Sequence, residues 1–129
     1  MREIKFRAWD NNKKEMLEVV QIDFETGYRA DLSLIKQIKC LRDGYEDILN
    51  FEIMQFTGLK DKNGVEIYEL DIIKYIDLIG TVHFVGGSWQ FIGKSKSNFL
   101  YFIDNIEVIG NIYQNKELLN ERNQTSTHH

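Results

Sequence analysis

The sequence predicts a mainly β protein of the β-rich α+β class, built as a small antiparallel SH3-like barrel with an N-terminal β-hairpin extension and short helices. Several short runs rich in β-branched and aromatic residues follow one another at close spacing. Glycine, Asn and Asp separate these runs, because the chain has no proline to mark its turns. Short strands with glycine turns favour a sandwich or a small barrel over a parallel α/β sheet.

The first element is a half-buried strand from Glu3 to Trp9, in which successive side chains alternate between two faces. The inner face would carry Ile4, Phe6 and Ala8, and the outer face Lys5, Arg7 and Trp9. A polar turn from Asp10 to Lys13 follows, and then a second strand that ends with Val20, Ile22 and Phe24. This is the predicted hairpin extension.

Residues 25–50 have a weaker pattern that leaves two interpretations open. Asp31 is a suitable cap for a short helix, and Leu34, Ile35 and Ile38 would then share one helical face. The same residues also suit an irregular extended segment. A turn is predicted at 42–44, before Tyr45.

The clearest prediction is a tight hairpin joined to a buried strand between Met54 and Tyr75. A strand begins at Phe51, and the turn at 60–64 ends in Asn63-Gly64, a pair that suits the positive φ angles of a tight reversal. The stretch from Asp71 to Ile76 is rich enough in β-branched residues for a central strand.

Further strands are predicted on both sides of the glycine pair Gly86-Gly87, with Val82 and Phe84 on one face and Trp89 and Phe91 returning from the turn. Two more short strands are predicted at 99–103 and 107–113. Asn115 is expected to cap a last short helix. The tail from Glu121 to His129 has no apolar residue and is predicted to be disordered.

Length and composition fit a single domain over residues 1–120, with a barrel-like core at 51–113. The lone Cys40 excludes an internal disulfide. The charged N-terminus is not a signal peptide and no apolar run is long enough to span a membrane, so we expect a cytoplasmic location. The net charge is −4, yet residues 1–14 carry +3.

Three separated blocks of the sequence resemble the YopX family. They are the stretches Met1–Asp10, Met54–Glu69 and Ile106–Tyr113, which occur in the order that the family has them. Residues 15–50 and 77–104 resemble the family only in that the corresponding regions are variable among its members. The resemblance implies a small β-rich protein of a bacteriophage or prophage in a bacterial host cell, and it carries no catalytic residues, metal or cofactor to transfer.

One position departs from the family pattern. After Tyr68-Glu69 the family usually has glycine followed by aspartate, whereas here Leu70 precedes Asp71. A glycine would permit a sharp entry to the next strand. Leu70 therefore indicates either a less tight entry or a turn that is made by Asp71.

Three places in the sequence carry side chains that suit metal binding or catalysis, and each has a plainer explanation. Asp61, Asn63 and Glu66 offer oxygen ligands but lack the remaining positions of a calcium loop, so a solvated turn is favoured. His83 has no nucleophile or orienting acid in the pattern and is interpreted as an exposed or hydrogen-bonded strand histidine. Glu69 and Asp71 would share a face, and surface charge is the favoured role for both.

The remaining functional signal is a set of aromatic and basic side chains. The candidate binding surface consists of Lys5, Arg7, Trp9, Trp89, Lys94, Lys96 and Tyr101. If these share one surface, bases would stack on the rings while the cations meet phosphates. The alternative, which is favoured, is that Trp9 and Trp89 are anchors of a core or an interface.

Two functional hypotheses follow from these patterns. The first is a non-enzymatic phage or prophage accessory protein without a cofactor, which acts by binding another protein or itself. The second is a nucleic-acid-binding module on a small β-barrel, suggested by the basic N-terminal strand. No catalytic constellation supports an enzyme.

Overall fold

The computed structural model describes residues 3–24, 35–40, 45–47, 51–94, 97–100 and 104–119. The chain separates into two compact units, one formed by Ile4–Gln55 and the other mainly by Phe56–His129. The boundary lies inside a strand, Phe51–Lys60, close to the predicted start of the core at residue 51. The predicted tail and the predicted turn at 42–44 lie outside the described residues.

The N-terminal unit is an antiparallel sheet whose strands follow the order β4-β3-β2-β1-β5. Its strands are β1 (Phe6–Asp10), β2 (Glu15–Phe24), β3 (Ile35–Cys40), β4 (Tyr45–Asp47) and the first half of β5 (Phe51–Lys60). The predicted hairpin of β1 and β2 is therefore confirmed. Of the two interpretations of residues 25–50, the extended one holds for residues 35–40.

The turn between β1 and β2 is organised by a single carboxylate. Asp10 Oδ1 accepts hydrogen bonds from the backbone N–H groups of Asn12 and Lys13 at 2.9 and 3.0 Å. The turn closes through Lys14, whose φ of 58° lies in the left-handed region and whose N–H donates to the carbonyl of Asp10. An Asp at this place competes for local backbone donors, which is why the polar stretch reverses here.

The predicted alternation of β1 is wrong at both of its ends. Ile4 is 70% exposed although it was assigned to the inner face, and Trp9 is only 6% exposed although it was assigned to the outer face. The strand pairs with β2 on one side and β5 on the other, and Ala8, Trp9 and Asp10 are all buried. Both faces are covered at this end, so a period of two does not separate core from surface there.

The C-terminal unit contains a five-stranded antiparallel sheet in the order β10-β9-β8-β7-β11. These strands are β7 (Asp71–Tyr75), β8 (Leu78–Val85), β9 (Ser88–Gly93), β10 (Ser97–Phe99) and β11 (Ile106–Asn111), and the short β6 (Glu66–Tyr68) pairs with the second half of β5. The core consists of Ile67, Ile73, Val82, Phe91, Leu100 and Ile106. The central position of β7 is confirmed.

The protein is thus mainly β, with two antiparallel sheets. Across the described ranges the strands do not close into a barrel, so the SH3-like barrel is not confirmed. Helical backbone is confined, in that same part of the chain, to residues 117–119 and a single 3-10 position at Leu100. Asn115 does not cap this turn with its side chain as predicted, because its Oδ1 accepts from the N–H of Asn111 at 3.1 Å.

Candidate binding surface

The longest stretch of the sequence without Asp, Glu, Lys or Arg is residues 78–93, in a chain that is 28% charged. This stretch is the hairpin of β8 and β9, which we call the uncharged hairpin. The two strands are joined by Gly86 and Gly87, whose φ angles of 60° and 86° form the tight two-residue turn that a glycine pair favours. The turn predicted at this place is confirmed.

The end of the uncharged hairpin, from Phe84 to Trp89, exposes apolar side chains. Phe84 is 55% exposed and Val85 is 44% exposed. The Phe84 and Trp89 rings meet edge to face with their centroids 4.9 Å apart, and Trp89 also packs against the core of the C-terminal unit. Trp89 thereby fixes the orientation of the more exposed Phe84 ring, because such aromatic pairs have a preferred geometry.

The polar atoms of this hairpin are used within it. The carbonyl of Val85 accepts from Ser88 Oγ at 3.4 Å and from Gln90 Nε2 at 3.2 Å. His83 Nε2 and Thr81 Oγ1 are hydrogen bonded at 2.7 Å, which confirms the hydrogen-bonded strand histidine. The hairpin end thus exposes the apolar side chains of Phe84 and Val85 beside polar groups that are bonded within the hairpin.

The residues of the predicted surface are distributed over both units. Lys5 and Arg7 are half-buried in the N-terminal unit, where Trp9 is buried and so has no ring face open to a base. In the C-terminal unit Trp89 is half-buried and Lys94 is exposed beyond the end of β9. Lys96 and Tyr101 lie outside the described residues.

Asp61, considered above as a calcium ligand, has a structural role. Its Oδ1 accepts from the N–H groups of Asn63 and Val65 at 2.8 and 2.9 Å, and its Oδ2 accepts from the N–H of Val108 at 2.9 Å. Burial raises the pKa of Asp61, but the backbone donors, together with the charge of Lys62, outweigh burial and lower the pKa below its usual value. The carboxylate is ionised at neutral pH and accepts two N–H groups of its own loop and one of Val108.

The loop that Asp61 organises differs in detail from the predicted reversal. The N–H of Gly64 donates to the carbonyl of Asp61, and Gly64 has a φ of 84°. Asn63 is not left-handed, so the turn is a type I turn followed by a left-handed glycine rather than a two-residue reversal. The hairpin was predicted correctly, but only Gly64 supplies a positive φ.

Asp71 is a second carboxylate whose predicted role was wrong. It is 2% exposed, and its Oδ2 accepts from the N–H of Tyr68 at 2.8 Å. Leu70, which stands where the family usually has glycine, has a φ of 68°. The entry to β7 is therefore sharp: Leu70 takes the left-handed conformation and Asp71 closes the turn.

Two other positions of the motif blocks, Thr57 and Asn111, have clear local roles. Thr57 Oγ1 donates to the carbonyl of Ile67 at 2.7 Å and accepts from the N–H of Leu59 at 3.1 Å, around Gly58 with its φ of 89°. In β11, Asn111 Oδ1 accepts from the N–H groups of Tyr113 and Gln114 at 3.0 Å. The motif residues thus shape turns and bulges.

An open cleft of about 200 Å³ lies beside the Asp61 loop in the C-terminal unit. Leu59, Leu100 and Ile106 contribute apolar atoms to it, and its remaining lining residues are Lys60, Asp61, Lys62, Asp104 and Asn105. The cleft is smaller than the roughly 300 Å³ at which small-molecule pockets begin. It also holds the ion pair of Lys62 and Glu107 at its margin, 3.8 Å between Nζ and Oε1.

The fold and the surface together define a mainly β protein with two antiparallel sheets and an uncharged hairpin that is apolar at its end. The model of the YopX protein family matches residues 5–120, and the chain belongs to this family. Within the described ranges, no helix has the length and apolar character needed to cross a membrane.

Among solved structures the chain is similar to the crystal structure of protein EF1440 from Enterococcus faecalis. The two are 30% identical, the TM-score is 0.68, and the match covers 92% of this chain and 99% of the other. A comparison with curated proteins found no match.

The apolar end of the uncharged hairpin was missed from sequence, although a signal for it was present. The sequence predicts Val82 and Phe84 on one face of the strand, yet Val82 is completely buried while Phe84 is exposed. Alternation identifies a face but does not show where along the strand the cover of that face ends. The missing charges of residues 78–93 would have indicated this hairpin.

Proposed function

We propose that this protein is a non-enzymatic binding protein that acts through contact between its uncharged hairpin and another protein surface. The observation that carries the proposal is the exposure of Phe84 and Val85 at the end of a sixteen-residue stretch without a charged side chain. Protein interfaces are depleted of charge and enriched in aromatic residues at their centres. Neighbouring exposed apolar side chains on a surface without charge are typical of a protein interaction site.

A binding role agrees with what the titratable residues do. Asp61 and Asp71 hold backbone N–H groups, and His83 is bonded to Thr81. These groups stabilise turns and strands, and of the three only Asp61 lines the cleft. The setting that we propose, from the family resemblance, is the cytoplasm of a bacterial host, where the protein serves a bacteriophage or prophage as an accessory protein.

Site-specific photo-crosslinking in host cells tests this function. A photoreactive residue at position 85 is expected to give protein adducts, whereas one at position 65 is not. Val65 is the matched control because it is also an exposed valine, at 47% against 44%, and lies in the Asp61 loop. If position 85 gives no protein adduct, the hairpin is not a contact surface.

Nucleic-acid binding is the second candidate function, and the net charge of +3 in residues 1–14 favours it. Burial of Trp9 removes one of the three aromatic rings of the predicted surface as a stacking platform, and the uncharged hairpin offers no cation for a phosphate. A fluorescence titration with single-stranded DNA and RNA at low salt tests whether the protein binds nucleic acid. Binding that is lost in the double variant Lys5→Ala with Arg7→Ala would support this candidate over protein contact.

A further inference from the structure

The two turns at the ends of β8 have different residues. Each turn connects two paired strands through only two residues. The turn between β8 and β9 is the pair Gly86-Gly87, which takes its positive φ angles without strain. The turn between β7 and β8 consists of Ile76 and Asp77, and Ile76 has a φ of 60°. A two-residue turn with a positive φ at its first position alone normally has glycine there.

Isoleucine at position 76 strains the backbone, and packing does not offset the strain. Of the four non-glycine residues with a positive φ in the described ranges, only Ile76 is β-branched, and a β-branched residue is an outlier in this conformation. Tyr75 and Leu78, on either side of the turn, pack against the core of the C-terminal unit, whereas Ile76 is 69% exposed. We therefore expect the fold to be more stable with glycine at this position.

We propose that Ile76 is a contact residue whose side chain inserts into an apolar pocket of another protein, with basic side chains around that pocket. A single exposed apolar side chain is ordinary on a protein surface. One that also strains the backbone is explained by a contact made outside the fold, because strained residues cluster at functional sites. The proposal goes beyond the contact at the uncharged hairpin, since β8 separates Ile76 from the glycine turn by about 26 Å.

The charges beside Ile76 determine the chemistry of the partner. Asp77 is its neighbour in the turn, and Asp104 lies just before β11, the strand that pairs with β7 up to the foot of this turn. Both carboxylates are exposed. Lys74, the nearest lysine in β7, is the cross-strand partner of Glu107, which offsets its charge. A pocket surrounded by Lys or Arg therefore complements an isoleucine that has two carboxylates beside it.

Thermal unfolding of the full chain tests whether the isoleucine serves the fold. Ile76→Gly is expected to raise the midpoint by about 2–5 °C, because it relieves the strain and removes a side chain that packs little. Val20→Gly is the matched control, since Val20 is an exposed β-branched residue, at 50%, without a positive φ. This control is expected to lower the midpoint. An Ile76→Gly variant that is less stable than wild type would overturn the inference, because the isoleucine would then stabilise the fold.

Photo-crosslinking from position 76 in host cells, with mass spectrometry of the attached peptide, tests the contact. We expect adducts with another protein at an apolar segment close to Lys or Arg, and no adducts from a photoreactive residue at position 20. The double variant Asp77→Lys with Asp104→Lys is expected to reduce the yield from position 76 by about tenfold and to leave adducts from position 85 unchanged.

Three results would overturn the inference: no adduct from position 76, adducts only with a second copy of the chain, or a yield that the two lysine substitutions leave unchanged. Adducts from position 85 test the proposed function separately. A failure at position 76 with adducts at position 85 would therefore overturn this inference and leave the proposed function supported.

Discussion

The carboxylate of Asp61 accepts a hydrogen bond from the backbone N–H of Val108, 2.9 Å away and 47 positions further along the chain. The neighbouring N–H of Lys62 donates to the carbonyl of Ile106 at 3.0 Å. The loop between β5 and β6 is therefore fixed on one side by its own turn and on the other by β11. Two of the family's motif blocks meet at this point.

Replacing Asp61 by Asn is expected to destabilise the protein by about 2 kcal/mol at neutral pH, because charged acceptors of backbone N–H groups are lost. The measurement is urea unfolding followed by tryptophan fluorescence. Asp104→Asn removes an exposed carboxylate beside the same cleft and is expected to change the free energy of unfolding by less than about 0.5 kcal/mol. Equal effects of the two variants would contradict the role of Asp61.

The contribution of Asp61 to the free energy of unfolding is also expected to decrease as the solution becomes acidic. Its pKa is lowered in the folded state, so the ionised form contributes stability that is fully present above the unfolded pKa of about 4. That contribution is lost as the pH falls through the lower, folded pKa. The difference in unfolding free energy between wild type and Asp61→Asn should thus stay constant from pH 7 to about 4 and narrow below it. A difference that is unchanged at pH 3 would contradict this.

At position 70, a glycine variant is expected to be more stable than an alanine variant, which is the reverse of the usual order. Leu70→Gly should be more stable than Leu70→Ala by about 1 kcal/mol, because both remove the side chain but only glycine adopts the φ of 68° without strain. At the exposed Lys74, in the middle of β7, Lys74→Gly should be the less stable of the same pair by about 0.5–1 kcal/mol. Thermal unfolding of the four variants checks the reversal.

Gly110 is expected not to tolerate a side chain, because a Cβ there would lie 2.5 Å from Asn115 Oδ1 and 2.7 Å from Asn115 Cβ. Gly110→Ala should destabilise the protein by about 1–3 kcal/mol, the range for overpacked sites. In the background of Asn115→Gly, which removes all three of the clashing atoms, the same substitution should have a much smaller effect. A double-mutant cycle measures this, and full additivity would contradict the steric explanation.

Thr57 is expected to act through its hydroxyl rather than through its shape. Thr57→Val keeps the volume but leaves the carbonyl of Ile67 and the N–H of Leu59 without this partner, so a loss of about 1–2 kcal/mol is expected. Thr57→Ser keeps the hydroxyl and should retain most of the stability. The ranking of the two variants by urea midpoint tests the role, and a valine variant as stable as the serine variant would contradict it.

Local features of this fold were accessible from the sequence and distant ones were not. The turns at Gly64 and Gly86-Gly87 depend on residues that are adjacent in the chain, so their chemistry predicts them. The bond between Asp61 and Val108 depends on where β11 lies, which no local pattern encodes. For the same reason alternation in β1 gave Trp9 the wrong face, since burial there depends on what covers both sides of the strand.

In the candidate surface, too, local features were predictable from the sequence and distant ones were not. Trp89 was identified by residue type alone, and its contact with Phe84 follows from the pairing of β8 with β9. The exposure of Phe84 could not be read from its alternation with Val82, because cover ends part of the way along the face. Leu70 indicated a turn that was unusual in the family, but its left-handed φ became evident only from the structure.

The bonds from the Asp61 loop to β11 have a consequence for aggregation. β11 lies at the margin of its sheet, where the outward N–H and carbonyl groups of a strand form a template for pairing with another chain. Here the N–H of Val108 and the carbonyl of Ile106 are already occupied by Asp61 and Lys62 of the same molecule. These two bonds occupy the outward backbone groups of Ile106 and Val108, so at this part of the margin the loop blocks the pairing with another chain from which a fibril would grow.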